Sequence, residues 1–301
     1  MNSTSLTAIK RRTNASAKPA LSVLLCNYNH GRYLERCLGG LLRQTMKDFE
    51  VVIVDDGSTD QSRSILRAVA RQDRRLKPVY FERNQGLMVA AANVWKRAEG
   101  DLIFGHGADD FLVDEDFFGR SVEALEQYPQ AAGCYGVAGL FDDGTNQVTQ
   151  AIGSAPSEGF IPPPLFRRGF LSGEVFVPGS SSIWRRELMQ EFDGFDPELG
   201  PQVDLFLNHL LPSRQGVVFQ NKVVSCQRIY ASNKNYGSKF DLWDSARRFA
   251  RVEQRMREIV PAFNEPGLDR GWRWWRSRWM VDCISKTGFA VTLHGESNQA
   301  A

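Results

Sequence analysis

Short apolar runs punctuate the first hundred positions, and each gives way to polar or acidic residues. Leu21-Ser-Val-Leu-Leu-Cys26 leads into Asn27-Tyr-Asn29, and Val51-Val-Ile-Val54 leads into Asp55-Asp-Gly-Ser58. Val79-Tyr-Phe81 and Leu102-Ile-Phe104 follow, the latter shortly before Ala108-Asp-Asp110. Between the runs the apolar spacing changes from short blocks to a helical period: Tyr33, Leu34, Cys37, Leu38, Leu41 and Leu42; then Ile65, Leu66 and Val69; then Ala90, Ala91, Val94 and Trp95. Asn29 and Gly31 supply the turn before the first helix, and Ser58 or Asp60 can cap the second. The pattern predicts strands at 21–26, 50–54, 79–81 and 102–104 with helices between them, hence a mainly parallel α/β sheet with right-handed crossovers. In such a sheet, ligands bind at the carboxyl edge of the strands.

After residue 112 the periodicity weakens. Gly, Pro and short aromatic runs fill 133–180, including Pro162-Pro-Pro164, which predicts a loop-rich second lobe. Ile183 to Phe192 reads as helical, Gly194 to Pro197 as a turn, Val203 to Leu211 as a short apolar helix carrying Asp204, and Val217 to Cys226 as a strand. From Asp241 onward the chain is helical and Arg-rich, which predicts a C-terminal appendage. The chain thus divides into a polar tail over 1–19, expected to be disordered, a first sheet half over 20–112, a second half over 113–240, and the appendage over 241–301.

Composition narrows the class. With 42% hydrophobic and 24% charged residues the chain is an ordinary globular protein, and a net charge of +2 gives no general pull toward nucleic acid. Its five scattered cysteines form no C-x-x-C pair, so buried, reduced thiols are expected. The N-terminal residues lack the apolar segment of a secretory signal, and no run approaches the roughly 20 apolar residues of a membrane span. The expected location is the cytoplasm. Four of the seven tryptophans crowd into Gly271–Trp279, with Trp272, Trp275 and Trp279 on one helical face. Either they pack the appendage onto the core with Arg stems outward, or they lie against a membrane surface as a peripheral contact.

Five residues could carry chemistry. Asp109 and Asp110 are adjacent carboxylates at a strand end, where they either solvate and start a helix or share a divalent cation with phosphate oxygens. Asp56, beside Gly57, can accept hydrogen bonds from a base or ribose, or serve a plain Asp-Gly turn. Tyr28 can stack on a base or pack half-buried. Asp204 is either a helix cap or a base within reach of an acceptor hydroxyl. His106 reads as a loop residue, and Asn84 as either a turn residue or one fixing a loop over a ligand.

Taken together, Ser22-Val-Leu-Leu-Cys-Asn-Tyr-Asn29, Leu41-Leu-Arg-Gln-Thr45, Phe49 to Asp60, Arg83-Asn-Gln-Gly86, Glu99-Gly-Asp101, Ala108-Asp-Asp110, Ser181 to Arg186, Gly194-Phe-Asp196, Asp204 and Arg228 resemble the family 2 glycosyltransferases. The resemblance covers about residues 20–235. It implies a GT-A fold, with a mainly parallel, Rossmann-like sheet flanked by helices and a loop-rich acceptor lobe. Residues 20–112 then bind the nucleotide sugar and 113–240 the acceptor. The resemblance implies that Tyr28, Asn29, Asp56, Asn84, Gly86, Asp109 and Arg228 surround a UDP-, GDP- or dTDP-linked donor. It further implies that Asp110, with Asp109, holds Mn²⁺ or Mg²⁺, and that Asp204 deprotonates a glycan or lipid-linked acceptor in an inverting transfer. Gly107 stands where many members carry the first acid of the metal motif, and Gln202 and Val203 lack the Glu that often precedes the base. Two other readings fit the same residues: a nucleotidyltransferase, or a nucleotide-sugar-binding partner without turnover.

Overall fold

The computed structural model describes residues 18–192, 199–229 and 242–265, together with 268, 270–275 and 277. The expected tail lies almost wholly outside these residues, as do Trp279, Cys283 and the turn at 194–197. The first half alternates as expected: β1 (Leu21–Asn27), α1 (Gly31–Leu42), β2 (Phe49–Asp55), α2 (Ser62–Gln72), β3 (Leu76–Tyr80), α3 (Leu87–Arg97) and β4 (Leu102–Gly107). Then come β5 (Phe111–Leu112), α4 (Phe117–Gln127), β6 (Gly133–Asp142), β7 (Gln147–Ile152), β8 (Gly159–Ile161), α5 (Pro163–Ser172), β9 (Ser182–Arg185), α6 (Arg186–Gln190), α7 (Val203–Gln215), β10 (Val217–Ile229) and α8 (Leu242–Ile259).

The strands form one sheet in the order β3-β2-β1-β4-β9-β6-β10-β5, with β7 beside β6 and β8 beside β10. β1 runs parallel to β2 and β4, β2 to β3, and β6 to β10. β9 is antiparallel to both β4 and β6, so those two strands point the same way. The carboxyl ends of β2, β1, β4, β6 and β10 therefore share one edge. Side chains alternate across the sheet as the period of two requires. Leu21, Val23 and Leu25 of β1 face a core built with α1, α2 and α4, whereas Leu24 faces the core of α3, α5, α7 and α8. Gly40 allows α1 to lie against the sheet, since a Cβ there would stand 2.7 Å from the Leu112 carbonyl.

Two expectations fail for physical reasons. Residues 133–180 are not mainly loop: β6 is a ten-residue, almost wholly buried strand. Its glycines mark close neighbours rather than turns, because a Cβ at Gly133 would strike Trp184 and Ile183 of β9, and one at Gly136 would strike Val224 of β10. Ile183 is likewise not helical. Residues 182–185 form β9, paired on both sides, and the helix covers only Arg186–Gln190.

The C-terminal aromatic segment packs inward. Trp272 and Trp275 are buried, their rings edge-on to Phe170 at 5.9 and 5.6 Å, with Phe263 and Phe249 alongside. That arrangement overturns a membrane contact through Trp272 and Trp275. No described helix is long and apolar enough to cross a membrane. Cys26, Cys37, Cys134 and Cys226 are free thiols, and burial raises the pKa of Cys26 and Cys134 to about 12.

Candidate active site

The turns at the ends of β1 and β2 brace one another. Asn29 adopts a left-handed conformation (φ 55°), and its Oδ1 accepts from the Thr59 and Asp60 amides at 2.8 and 3.3 Å. Asp60 in turn accepts from the Gly31 amide at the start of α1, 2.8 Å away. Buried Asp55 takes Asn27 Nδ2 at 2.8 Å and pairs with Arg63. Buried Asp56 accepts from the Gln85 and Gly86 amides at 2.7 and 2.8 Å, pinning the loop after β3 across the sheet edge. Gly57 lets that loop approach: its φ is 75°, and a Cβ would overlap the backbone of Arg83 and Asn84. The side chains of Asn29 and Asp56 thus shape the loops, while Tyr28 (45% exposed) and Asn84 stand open to solvent beside them.

Beyond β4 the acid pair converges. A Cβ on Gly107 would lie 2.7 Å from Asp109 Oδ1 and 2.9 Å from Asp110 Oδ2, so both carboxylates lean over the same bare Cα. Burial pushes the Asp110 carboxyl well above its usual range, and the neighbouring Asp109 adds to the shift. A cation placed between them would favour the ionised carboxylates and offset their mutual repulsion. Among the described residues no group of three or more His, Cys, Asp or Glu could hold a metal. Two carboxylates with phosphate oxygens and water are, however, an ordinary shell for Mg²⁺, and the pair over Gly107 fits that donor set. His106 lies in β4 rather than in a loop. Its ring is buried 5.1 Å from Phe104, and burial lowers its pKa to about 4.

Arg228 ties the acid pair to β10. Its amide donates to Asp110 Oδ1 at 2.8 Å, its Nε donates to the Asp109 carbonyl at 2.9 Å, and its Nη1 pairs with Asp143. The guanidinium lies 4.4 Å from the Tyr33 ring centre, and Tyr33 reaches Asp143 at 3.3 Å. The sequence reading missed Asp143 and Tyr33. The signal for Asp143 was present in the form already used, an apolar run ending in acids, but it lay within the stretch read as loops.

Asp204 stands in the first turn of α7, whose N-cap is Gln202 with no side-chain cap bond. Its carboxylate is exposed to a recess of about 240 Å³, lined also by Pro178, Gly179, Asn208, Gln227 and Phe249. Protein packed around it pushes its pKa upward, against the Leu205 amide that donates to Oδ1 at 2.6 Å. One link connects this recess with the acid pair and a second with the β10 strand that carries Arg228. Gln227 lines the recess, and the next residue, Arg228, bonds Asp110. A Cβ on Gly179 would stand 3.3 Å from Asp204 Oδ2, and the adjacent Ser180 is 3.5 Å from Ser225 of β10. The sequence-predicted residues thus gather along the carboxyl edge: Tyr28, Asp56, Asn84 and Gly86 at one end, the acid pair and Arg228 centrally, Asp204 beyond.

Comparison with known proteins identifies the family and the fold. An uncharacterized glycosyltransferase of Nostoc sp. is 32% identical over 180 residues, covering 59% of this chain and 54% of that protein. A putative teichuronic acid biosynthesis glycosyltransferase of Bacillus subtilis is 33% identical over 128 residues, covering 42% and 50%. The chain spans about half the length of these curated relatives. Among solved structures, S. aureus TarS in complex with UDP-GlcNAc superposes with a TM-score of 0.63 at 18% identity, covering 89% of this chain and 79% of that one. The Pyrobaculum calidifontis mannosyltransferase with GDP-Man and Mn²⁺ superposes at 0.57 and 18%, covering 92% and 77%. These likenesses establish the GT-A fold. The model of glycosyl transferase family 2 matches residues 22–192, more than half of the chain, and the protein belongs to that family.

Proposed function

We propose that the carboxyl-edge cleft binds a nucleoside-diphosphate sugar and passes the sugar to an acceptor hydroxyl with inversion at the anomeric carbon. The observation that carries the reading is the placement of Asp109, Asp110 and Arg228 on the same edge as the recess holding Asp204. The Tyr28 ring offers a face for the base, and the loop that Asp56 pins brings Asn84 and Gly86 alongside it. Asp109 and Asp110 would hold Mn²⁺ or Mg²⁺. When bound, the ion supplies Lewis-acid stabilisation of the departing diphosphate, worth several kcal/mol. Asp204 accepts the acceptor proton as the hydroxyl attacks the anomeric carbon from the face opposite the leaving group. Its raised pKa suits a base better than an ordinary carboxylate would. One displacement needs no covalent sugar–enzyme intermediate.

The solved neighbours that carry UDP-GlcNAc or GDP-Man support the donor class, and the teichuronic acid relative supports synthesis of a surface polysaccharide or glycolipid. A thermal-shift panel of UDP-, GDP- and dTDP-linked sugars, with and without Mn²⁺, tests the reading. A donor at 100 times its Kd should stabilise the fold by about 2.7 kcal/mol, and Mn²⁺ should enlarge the shift. A flat panel contradicts it.

A further inference from the structure

We propose that Asp143 is a positioning residue that sets the Arg228 guanidinium to receive the diphosphate of the donor. The inference rests on the reading of the cleft as a nucleotide-sugar site and adds to it an acid that is not among the sequence motifs quoted above.

Arg228 is 5% exposed, and its guanidinium is held from three sides. Nε donates to the Asp109 main-chain carbonyl, Nη1 pairs with Asp143, and the Tyr33 ring lies against the guanidinium, while the main-chain amide of the same residue bonds Asp110. Among the described residues Nη2 has no partner. A guanidinium serving only to fasten strands would take a carboxylate through both Nη groups, the bidentate geometry that arginine prefers. Here only one is taken, so a charged fork beside the acid pair keeps donors in hand. The sheet places Asp143 for this task. Ile229 of β10 is in register with Asp142 of β6, and the Asp143 amide donates to the Ile229 carbonyl at 3.3 Å. The carboxylate is then held by Tyr33 and by Arg228 itself. Arg36, the other cation near this carboxylate, is stacked on Phe111 and Phe141 at 3.6 and 4.6 Å from their ring centres. Asp143 thus neutralises a buried cation while no phosphate is present and holds it in place when one arrives.

Calorimetric titration of the Mn²⁺-loaded protein with UDP and GDP, and with the matching monophosphates, tests this. Asp143→Ala should weaken the better-bound diphosphate about tenfold while leaving the monophosphate within about twofold, since a single mis-set charge-assisted bond is lost. Asp143→Asn, which still offers an acceptor to Nη1, should recover most of the loss. In an Arg228→Ala background, Asp143→Ala should cost nothing more; Arg228→Lys carries the same cycle if the alanine variant does not fold. Equal weakening of mono- and diphosphate, or an undiminished effect of Asp143→Ala without Arg228, overturns the proposal. A wild-type protein that binds neither diphosphate overturns the nucleotide-site reading itself.

Discussion

Asp204 sits in the first turn of α7, two residues past the N-cap Gln202, and its carboxylate accepts the Leu205 amide while lining a recess. From sequence, cap and base were equally good readings of an acid at a helix start, because both need the same residue type at the same place. The carboxylate meets both descriptions, since it takes a first-turn amide and also lines a recess formed by segments distant in the chain. Asp204→Asn keeps the shape and removes the proton acceptor, so kcat should fall by about 10²–10⁴-fold with donor affinity unchanged. The carboxyl must be ionised to act, and its pKa is raised, so kcat/KM should climb with pH through a value above the ordinary carboxylate range. An acidic limb at or below the usual aspartate value would count against the assignment. Gly107 makes a second residue-scale test. Its missing Cβ is the space into which Asp109 and Asp110 lean. Gly107→Ala should therefore spread the carboxylates and weaken Mn²⁺ binding about tenfold or more, read by metal titration without any sugar present.

Element by element, the first half was legible because each strand alternates with a helix whose apolar face shows a clean period. The second half hid its strands. β6 contains three glycines that resemble turn signals but stand where neighbouring strands and a tryptophan press close. β9 is only four residues long and is defined by pairing on both edges. Turn chemistry was legible at Asp55-Asp-Gly-Ser58, although the pinning of the 84–86 loop by Asp56 was not, since it joins residues 29 and 30 apart. Gly57→Ala should cost about 1–3 kcal/mol, because it combines a positive φ with backbone overlap; the loss would be seen in denaturant melts. Trp272, wholly buried among Phe170, Phe263 and Trp275, anchors the C-terminal segment. Trp272→Ala should destabilise by about 3–5 kcal/mol, whereas a surface-lying ring would lose almost nothing.

At the scale of the whole molecule, one sheet edge gathers the candidate site residues and two packed faces hold it in place. The sequence foretold the edge through its repeated strand-then-acid pattern, but it did not reveal that β6 and β10 extend that edge and bring Asp143 to it. The packed faces carry their own pH dependence. His209 is buried 4.3 Å from the Phe170 ring, donates from Nδ1 to the Leu205 carbonyl at 2.6 Å, and has its pKa lowered by burial to about 4. The unfolded chain therefore binds the extra proton between pH 4 and about 6.5, so stability rises with pH across that window and falls as the pH drops through it. The full effect is on the order of 3 kcal/mol, and His209→Phe should flatten the slope whatever it does to the absolute stability. Whether the edge transfers sugar is read from release of nucleoside diphosphate by the donor identified in the binding panel. With Mn²⁺ present, wild type should release it well above background, Asp110→Ala should fall to background, and Asp204→Asn should lose acceptor-stimulated release while still binding donor. Equal background release by all three proteins would rule out catalysis at this edge.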